Sequence, residues 1–269
     1  QDSEGGAVDV RDDTSRLQAV DRAFAGPLRL HRRLLGYAAP WATEMTFPAP
    51  SHIAAEPPAE RVFLFVHGWI EYPYSRFNLA AHQGGMALES FSLDVPDGQG
   101  GWRTAIPEFG YMAGKSRTMA IEVTPHLHEA LRDGQLHLRL RSNLAVHIDQ
   151  AYLARDLSAL PGMLEVTEAG PAAAEVSFVG FPREYSPDGA KPLLYDYATR
   201  DASSDFKTLP GHYSRYGNVL ELVTEADDRF AIFGRGEQVA LEFPEPAFSR
   251  APETDRKTTW FLRARGYCK

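Results

Sequence analysis

The stretch Gln135–Arg155, QLHLRLRSNLAVHIDQAYLAR, decides the fold. Leu136, Leu138 and Leu140 alternate with His137, Arg139 and Arg141, and Leu144, Val146 and Ile148 keep the leucine parity. Successive strand side chains leave on opposite faces, so a period of two predicts a half-buried strand with a basic outer face. His147, Asp149 and Gln150 then interrupt the apolar pattern. Either they form a site, or they are polar joints that bond to the backbone amides of a neighbouring turn.

Similar signals surround this stretch. RVFLFVHGWI (61–70) is apolar on both parities, as in a strand covered on both faces. ALESFSLDV (87–95), GWRTAI (101–106) and RTMAIEVT (117–124) read as further strands, and PDGQGG (96–101) has the composition of a turn. TPHLHEALRDG (124–134) predicts a two-turn helix capped by Thr124, with Pro125 in the first turn and Gly134 as its stop. DVRDDTSRLQAV (9–20) predicts a short amphipathic helix, and the proline-rich 37–60 an irregular arm whose Tyr37, Trp41 and Phe47 lie on a core. Beyond the turn-rich 158–175, VSFVGF (176–181) is a strand and 182–210 a long loop carrying LYDYA. GHYSRYGNVLELV (211–223), a hairpin in RFAIFGRGEQVALEF (229–243) and a last strand in TTWFLRARGY (258–267) complete the pattern.

Many short strands with little helix predict an all-β chain, a β-sandwich or jelly-roll-like arrangement with a few short helices and long loops. The expected organisation is an N-terminal arm packed on the core (1–59) and a β-sandwich module (60–160). A second β-rich region (161–269) is either separate from that module or continuous with it.

The 269 residues are 43% hydrophobic and 24% charged, within the ordinary globular range. A net charge of −8 argues against nucleic acid, whose phosphates need a positive field. No apolar run approaches the ~18 residues of a membrane span. One cysteine, Cys268, allows neither an internal disulfide nor a cysteine zinc cluster. The chain begins at Gln1 rather than methionine, which points to a processed product or a piece of a longer one.

Familiar catalytic motifs are missing. There is no Gly-x-Ser-x-Gly elbow and no phosphate loop, and GRGEQV has Val239 where a dinucleotide fingerprint needs glycine. His128-Glu129 lacks a zincin's second histidine, and Asp94 and Asp97 are misplaced for an EF-hand. One metal constellation is conceivable. His147 and Asp149 share a strand face, and His67 lies in another strand, so the three converge if those strands are neighbours. Two histidines and a carboxylate can hold iron(II) or zinc. Two aromatic loops are candidate contact sites, one with Trp69, Tyr72 and Tyr74, the other with His212, Tyr213, Arg215 and Tyr216. Amphipathic rings give contact area at small entropic cost, toward a sugar or a protein.

Several ordered segments carry a resemblance: LFVHGWIEYPYSRFNLAAHQ, LDVPDGQGGWRTAIPEFGYMAGKSRTMAIEVT, LRLRSNLAVHIDQAYLA, LPGHYSRYGNVLELVTEADDRFAIFGRGEQVALEF and the terminal GYCK. Over about residues 30–269 the chain resembles the C-terminal region of bacterial FG-GAP/ASPIC-UnbV proteins, the cartilage-acidic-protein-like group. A similar region follows tetratricopeptide repeats in other bacterial proteins. The resemblance implies an extracytoplasmic setting (periplasmic, cell-surface or secreted) beside a propeller or repeat scaffold. The family pattern has two aromatic residues where this chain has His147 and Ile148, and no histidine at the His67 position. Asp149 and Gln150 are the parts that match.

The resulting expectation is a non-enzymatic module acting as a structural or protein-interaction component, with a protein partner or fused scaffold and no cofactor. The alternatives are a metal-dependent enzyme using His67, His147 and Asp149, and a carbohydrate-binding module using Trp69 and Tyr72 toward a glycan.

Overall fold

The computed structural model describes residues 17–49, 61–156, 166–205, 210–245 and 259–266. The protein is all-β, with its strands in antiparallel sheets, and forms two compact units, Gln1–Leu160 and Pro161–Lys269.

The first unit contains β1 (Tyr37–Pro48), β2 (Val62–Ile70), α1 (Ser75–Gln83), β3 (Ser92–Pro96) and β4 (Trp102–Ile106). There follow β5 (Arg117–Glu122), a 3-10 turn (Thr124–His126), α2 (Leu127–Ala130), β6 (Leu131–Arg132), β7 (Gln135–Leu144) and β8 (Val146–Arg155). One sheet runs β1-β7-β3-β4, with β6 also on β7, and the other runs β5-β2-β8. Both supply the same core: Leu93, Leu136, Leu138, Leu140 and Leu144 from the first sheet, Leu64, Val66, Ile121, Val146 and Ile148 from the second. Two antiparallel layers around one core make a β-sandwich. Each fully buried leucine contributes roughly 1.5–3 kcal/mol relative to exposure.

Gln135–Arg155 is two strands in two different sheets. Ala145 alone separates β7 from β8, and parity survives the crossing because Leu144, Ala145 and Val146 are all buried. Trp41 donates its indole N–H to the Leu144 carbonyl (2.8 Å), and Ala145 N–H donates to the Gly36 carbonyl (2.9 Å). Gly36 has φ +86°, and a Cβ there would lie 2.5 Å from the Pro73 nitrogen, so glycine alone fits the crossing.

Several expectations are corrected. Residues 37–48 of the supposed irregular arm form β1, the long edge partner of β7, whose outer edge tolerates Pro40 and Pro48. The 124–134 helix stops at Ala130, because Asp133 (φ 50°) and Gly134 (φ 75°) turn the chain from β6 into β7. Thr124 caps nothing; its Oγ1 accepts the Val62 N–H at 2.8 Å. SRFNLAAHQ, which directly follows the aromatic loop of Tyr72 and Tyr74, is α1, with Gly84 at its C-cap. The expected helix at 9–20 and Cys268 fall largely or wholly outside the described residues.

The second unit contains β9 (Ala173–Phe178), β10 (Phe181–Tyr185), β11 (Leu194–Asp201), β12 (Gly217–Asn218), a 3-10 turn (Leu220–Leu222) and β13 (Glu237–Glu242). Its sheets are β12-β9-β13 and the β10-β11 hairpin. The supposed long loop 182–210 holds most of that hairpin. The expected GRG hairpin is absent. β13 pairs instead with β9, and before the glycines the Ser214 N–H donates to the Ile232 carbonyl (2.8 Å). Among the described residues 259–266 no strand forms.

Candidate functional site

The β2–β8 ladder brings most of the singled-out residues together. His67 faces Gln150 and Gly68 faces Ile148, so Asp149 is the extra residue of a bulge. Buried there, its Oδ1 accepts the backbone N–H groups of Asp21 (3.2 Å) and Arg22 (2.9 Å). Burial pushes its carboxyl above the usual carboxylate range, against the opposing pull of those two amides. Gln150 Nε2 donates to the Gln18 carbonyl (2.8 Å), Ala25 and Ile148 exchange backbone bonds of 2.7 Å, and Ala151 N–H donates to the Leu17 carbonyl (2.9 Å). Residues 17–26 thus form a clasp along β8, and Asp149 and Gln150 hold it.

The clasp closes over an aromatic stack. His147 lies on Trp69, and Phe24 meets both rings edge-on, 6.0 Å from Trp69 and 6.3 Å from His147. Burial lowers the His147 pKa below the ordinary histidine value, with Glu71 pulling the other way. At Gly26 a Cβ would lie 2.7 Å from Nδ1 of His147, so only glycine lets the clasp pass the imidazole. Trp69 is 8% exposed, and its buried Nε1 meets no acceptor among the described residues.

These contacts correct two candidate sites. His67 engages Thr118 (Nδ1 to Oγ1, 2.9 Å), His147 is stacked, and Asp149 is taken by amides. Among the described residues no three His, Cys, Asp or Glu side chains are grouped to hold a metal, which needs convergent donors. Trp69 cannot serve as a sugar platform, because one ring face carries His147 and little of the residue reaches solvent. Tyr72 and Tyr74 are exposed, edge to face at 6.0 Å, just before α1. Further along the ladder Phe65 and Tyr152 stack at 5.1 Å and 3°, close to the spacing of adjacent strands.

Sequence reasoning missed two groups. The first is the clasp with Phe24, whose hydrogen-bond partners Asp149 and Gln150 lie more than a hundred residues away in sequence. The second is a polar network on the outer face of the other sheet. Arg139 donates to Asp94 Oδ2 through Nε (3.0 Å) and Nη2 (2.8 Å), Arg141 through Nε (3.2 Å), and Thr104 donates to Oδ1 (2.9 Å). Trp102 lies against the Arg139 guanidinium. Burial alone would raise the Asp94 carboxyl; the bonds from Arg141, Arg139 and Thr104 outweigh it and hold it below the carboxylate range. The alternating arginines signalled this face, but nothing in the sequence pairs them with Asp94. Beside it, Glu89, Ser90, Ser92, Glu108 and Arg141 line a cleft of about 160 Å³, below the roughly 300–1,000 Å³ of small-molecule sites.

In the second unit His212, Tyr213, Arg215 and Tyr216 are all exposed. Ser214 binds Ile232 twice: its N–H donates to the Ile232 carbonyl, and its Oγ accepts the Ile232 N–H (2.9 Å). These bonds join the segment that carries Tyr213 and Tyr216 to the segment that carries Phe230, Ile232 and Phe233, all five of them exposed. The Tyr216 hydroxyl donates to Glu237 Oε1 (2.8 Å), a bond that raises its pKa and fixes the ring.

Among the described residues no helix is long and apolar enough to cross a membrane. Comparison with protein-family models, curated proteins and solved structures gives no match.

Proposed function

We propose that the protein is a non-enzymatic β-sandwich module that binds a protein partner as a structural or interaction component of a larger assembly, in an extracytoplasmic setting. The observation that carries this reading is the exposure of Tyr213, Tyr216, Phe230, Ile232 and Phe233 on two segments that the Ser214–Ile232 bonds join. Exposed large apolar side chains gathered on two linked segments are the raw material of contact sites on folded chains, and tyrosine and phenylalanine are enriched at the centres of interfaces. The first unit supports it differently: Asp149, Gln150 and His147 are engaged in holding its own clasp. The resemblance to regions that accompany propellers and repeat scaffolds supports both the partner class and the setting.

Site-specific photo-crosslinking tests the reading. A photoreactive residue at position 233, in the native host, is expected to give one discrete protein adduct. Tyr216→Ala should abolish it, and a probe at Gly189 should give none. Absence of any adduct, or one indifferent to Tyr216, overturns the proposal. Fractionation of the same cells places the adduct inside or outside the cytoplasmic membrane.

A further inference from the structure

Residues Thr259–Gly266, TWFLRARG, are exposed throughout and pair with no strand among the described residues. Three consecutive large apolar side chains meet solvent there: Trp260 is 71% exposed, Phe261 91% and Leu262 68%. Apolar residues scattered singly over a surface need no explanation, but three adjacent ones this open do.

The order of these residues narrows what covers them. In an extended chain successive side chains leave on opposite sides, so Phe261 points away from Trp260 and Leu262. A flat protein surface covers one of those sides, and covering both takes a groove cut to the segment's own shape. A fluid lipid interface closes around all three without one. Tryptophan favours the level where lipid meets water, because its ring is apolar and one edge carries an N–H. Arg263 and Arg265 follow directly, and the segment holds no acidic residue. An arginine stem lies along apolar surroundings while its guanidinium reaches a phosphate, which it grips with two parallel bonds. The whole chain carries −8, so its acidic body is repelled by anionic lipid and attachment has to rest on this segment.

From this exposed apolar triad followed by two cations, we infer that Thr259–Gly266 attaches the protein to the surface of a phospholipid bilayer. Trp260, Phe261 and Leu262 enter the interface, and Arg263 and Arg265 take lipid phosphates. The contact is peripheral. It uses residues other than those of the proposed partner surface and stands independently of that reading.

Co-sedimentation of the full chain with vesicles of phosphatidylcholine and phosphatidylglycerol in equal parts tests it. The chain is expected to pellet with the vesicles at low salt. Replacing Trp260, Phe261 and Leu262 together by serine should weaken binding at least tenfold. Because all three are exposed, circular dichroism should show the fold unchanged. Arg263→Glu with Arg265→Glu should also weaken binding at least tenfold. Bromine on the acyl chains should quench the tryptophan fluorescence of the native chain and leave that of Trp260→Phe unchanged. A chain that stays in the supernatant overturns the inference, whether the segment is then found on its own β13 edge or on a protein partner. Binding that survives the triple serine substitution, or that leaves the native fluorescence unquenched, does so too.

Discussion

The imidazole of His147 lies face to face with the indole of Trp69, ring centroids 4.5 Å apart and planes 11° from parallel. They are register partners across β2 and β8, so the stack is an aromatic rung of the ladder, and Phe24 closes it from the clasp. An imidazole held this way is easier to keep neutral than to charge.

Stability should therefore respond to mild acid. The folded pKa of His147 is lowered, chiefly by burial, so its contribution is intact above the unfolded value near 6.5 and is lost as pH falls through that value toward the folded one. Urea denaturation at pH 7.5 and pH 5 should show this loss. His147→Phe, which keeps a ring on Trp69 without a titrating nitrogen, should flatten the difference between the two pH values. An unchanged difference would assign it to other groups.

At Asp149 the chemistry of the acceptor matters more than its charge. Asp149→Asn keeps a carbonyl oxygen for the Asp21 and Arg22 amides and removes a carboxylate that burial disfavours. It should be close to neutral at pH 7. Asp149→Ala leaves both amides without that acceptor and should cost about 1–3 kcal/mol. Limited proteolysis within 17–26 should quicken for alanine and not for asparagine.

Breaking the other polar network should cost more. Asp94 is 1% exposed and binds two arginines, so Asp94→Ala strands Arg139 and Arg141 against the sheet. The expected loss is about 2–4 kcal/mol, below the top of the range for a broken buried pair because the Arg141 side chain is 41% exposed. The lowered pKa of Asp94 adds a sign. Its contribution is present above the unfolded value of 3.8 and disappears only as pH drops below that, a window separate from that of His147.

Gly36→Ala tests the crossing between the two sheets. Its φ of +86° and the contact with Pro73 leave no room for a methyl group, so loss of soluble folded protein is expected on expression. Gly85→Ala, also at positive φ (+76°) but with open space around it, should cost only roughly 1 kcal/mol.

The all-β reading was legible because alternation over Leu136–Leu140 and apolar Val62–Ile70 report burial directly, and burial follows local pattern. Pairing across long separations was not. Nothing in Asp149 names Asp21 or Arg22, since that part of the clasp is specified by backbone groups that every residue carries. β1 was hidden by its prolines, which disqualify a central strand but not an edge. The 124–134 helix and the GRG hairpin misled because turn residues mark where a chain reverses, not which strand it then meets. The metal constellation was drawn from parity, and the bulge at Asp149 is where parity fails.

Ala145 is the only residue between β7 and β8. A spacer that short transmits phase: whichever side chains β7 turns inward dictate those β8 turns inward. Inserting one residue beside Ala145 would expose Val146 and Ile148 and drive His147 and Gln150 toward the leucines, leaving β7 untouched. The two layers behave as one geared part, and their alignment is inherited through a single peptide link.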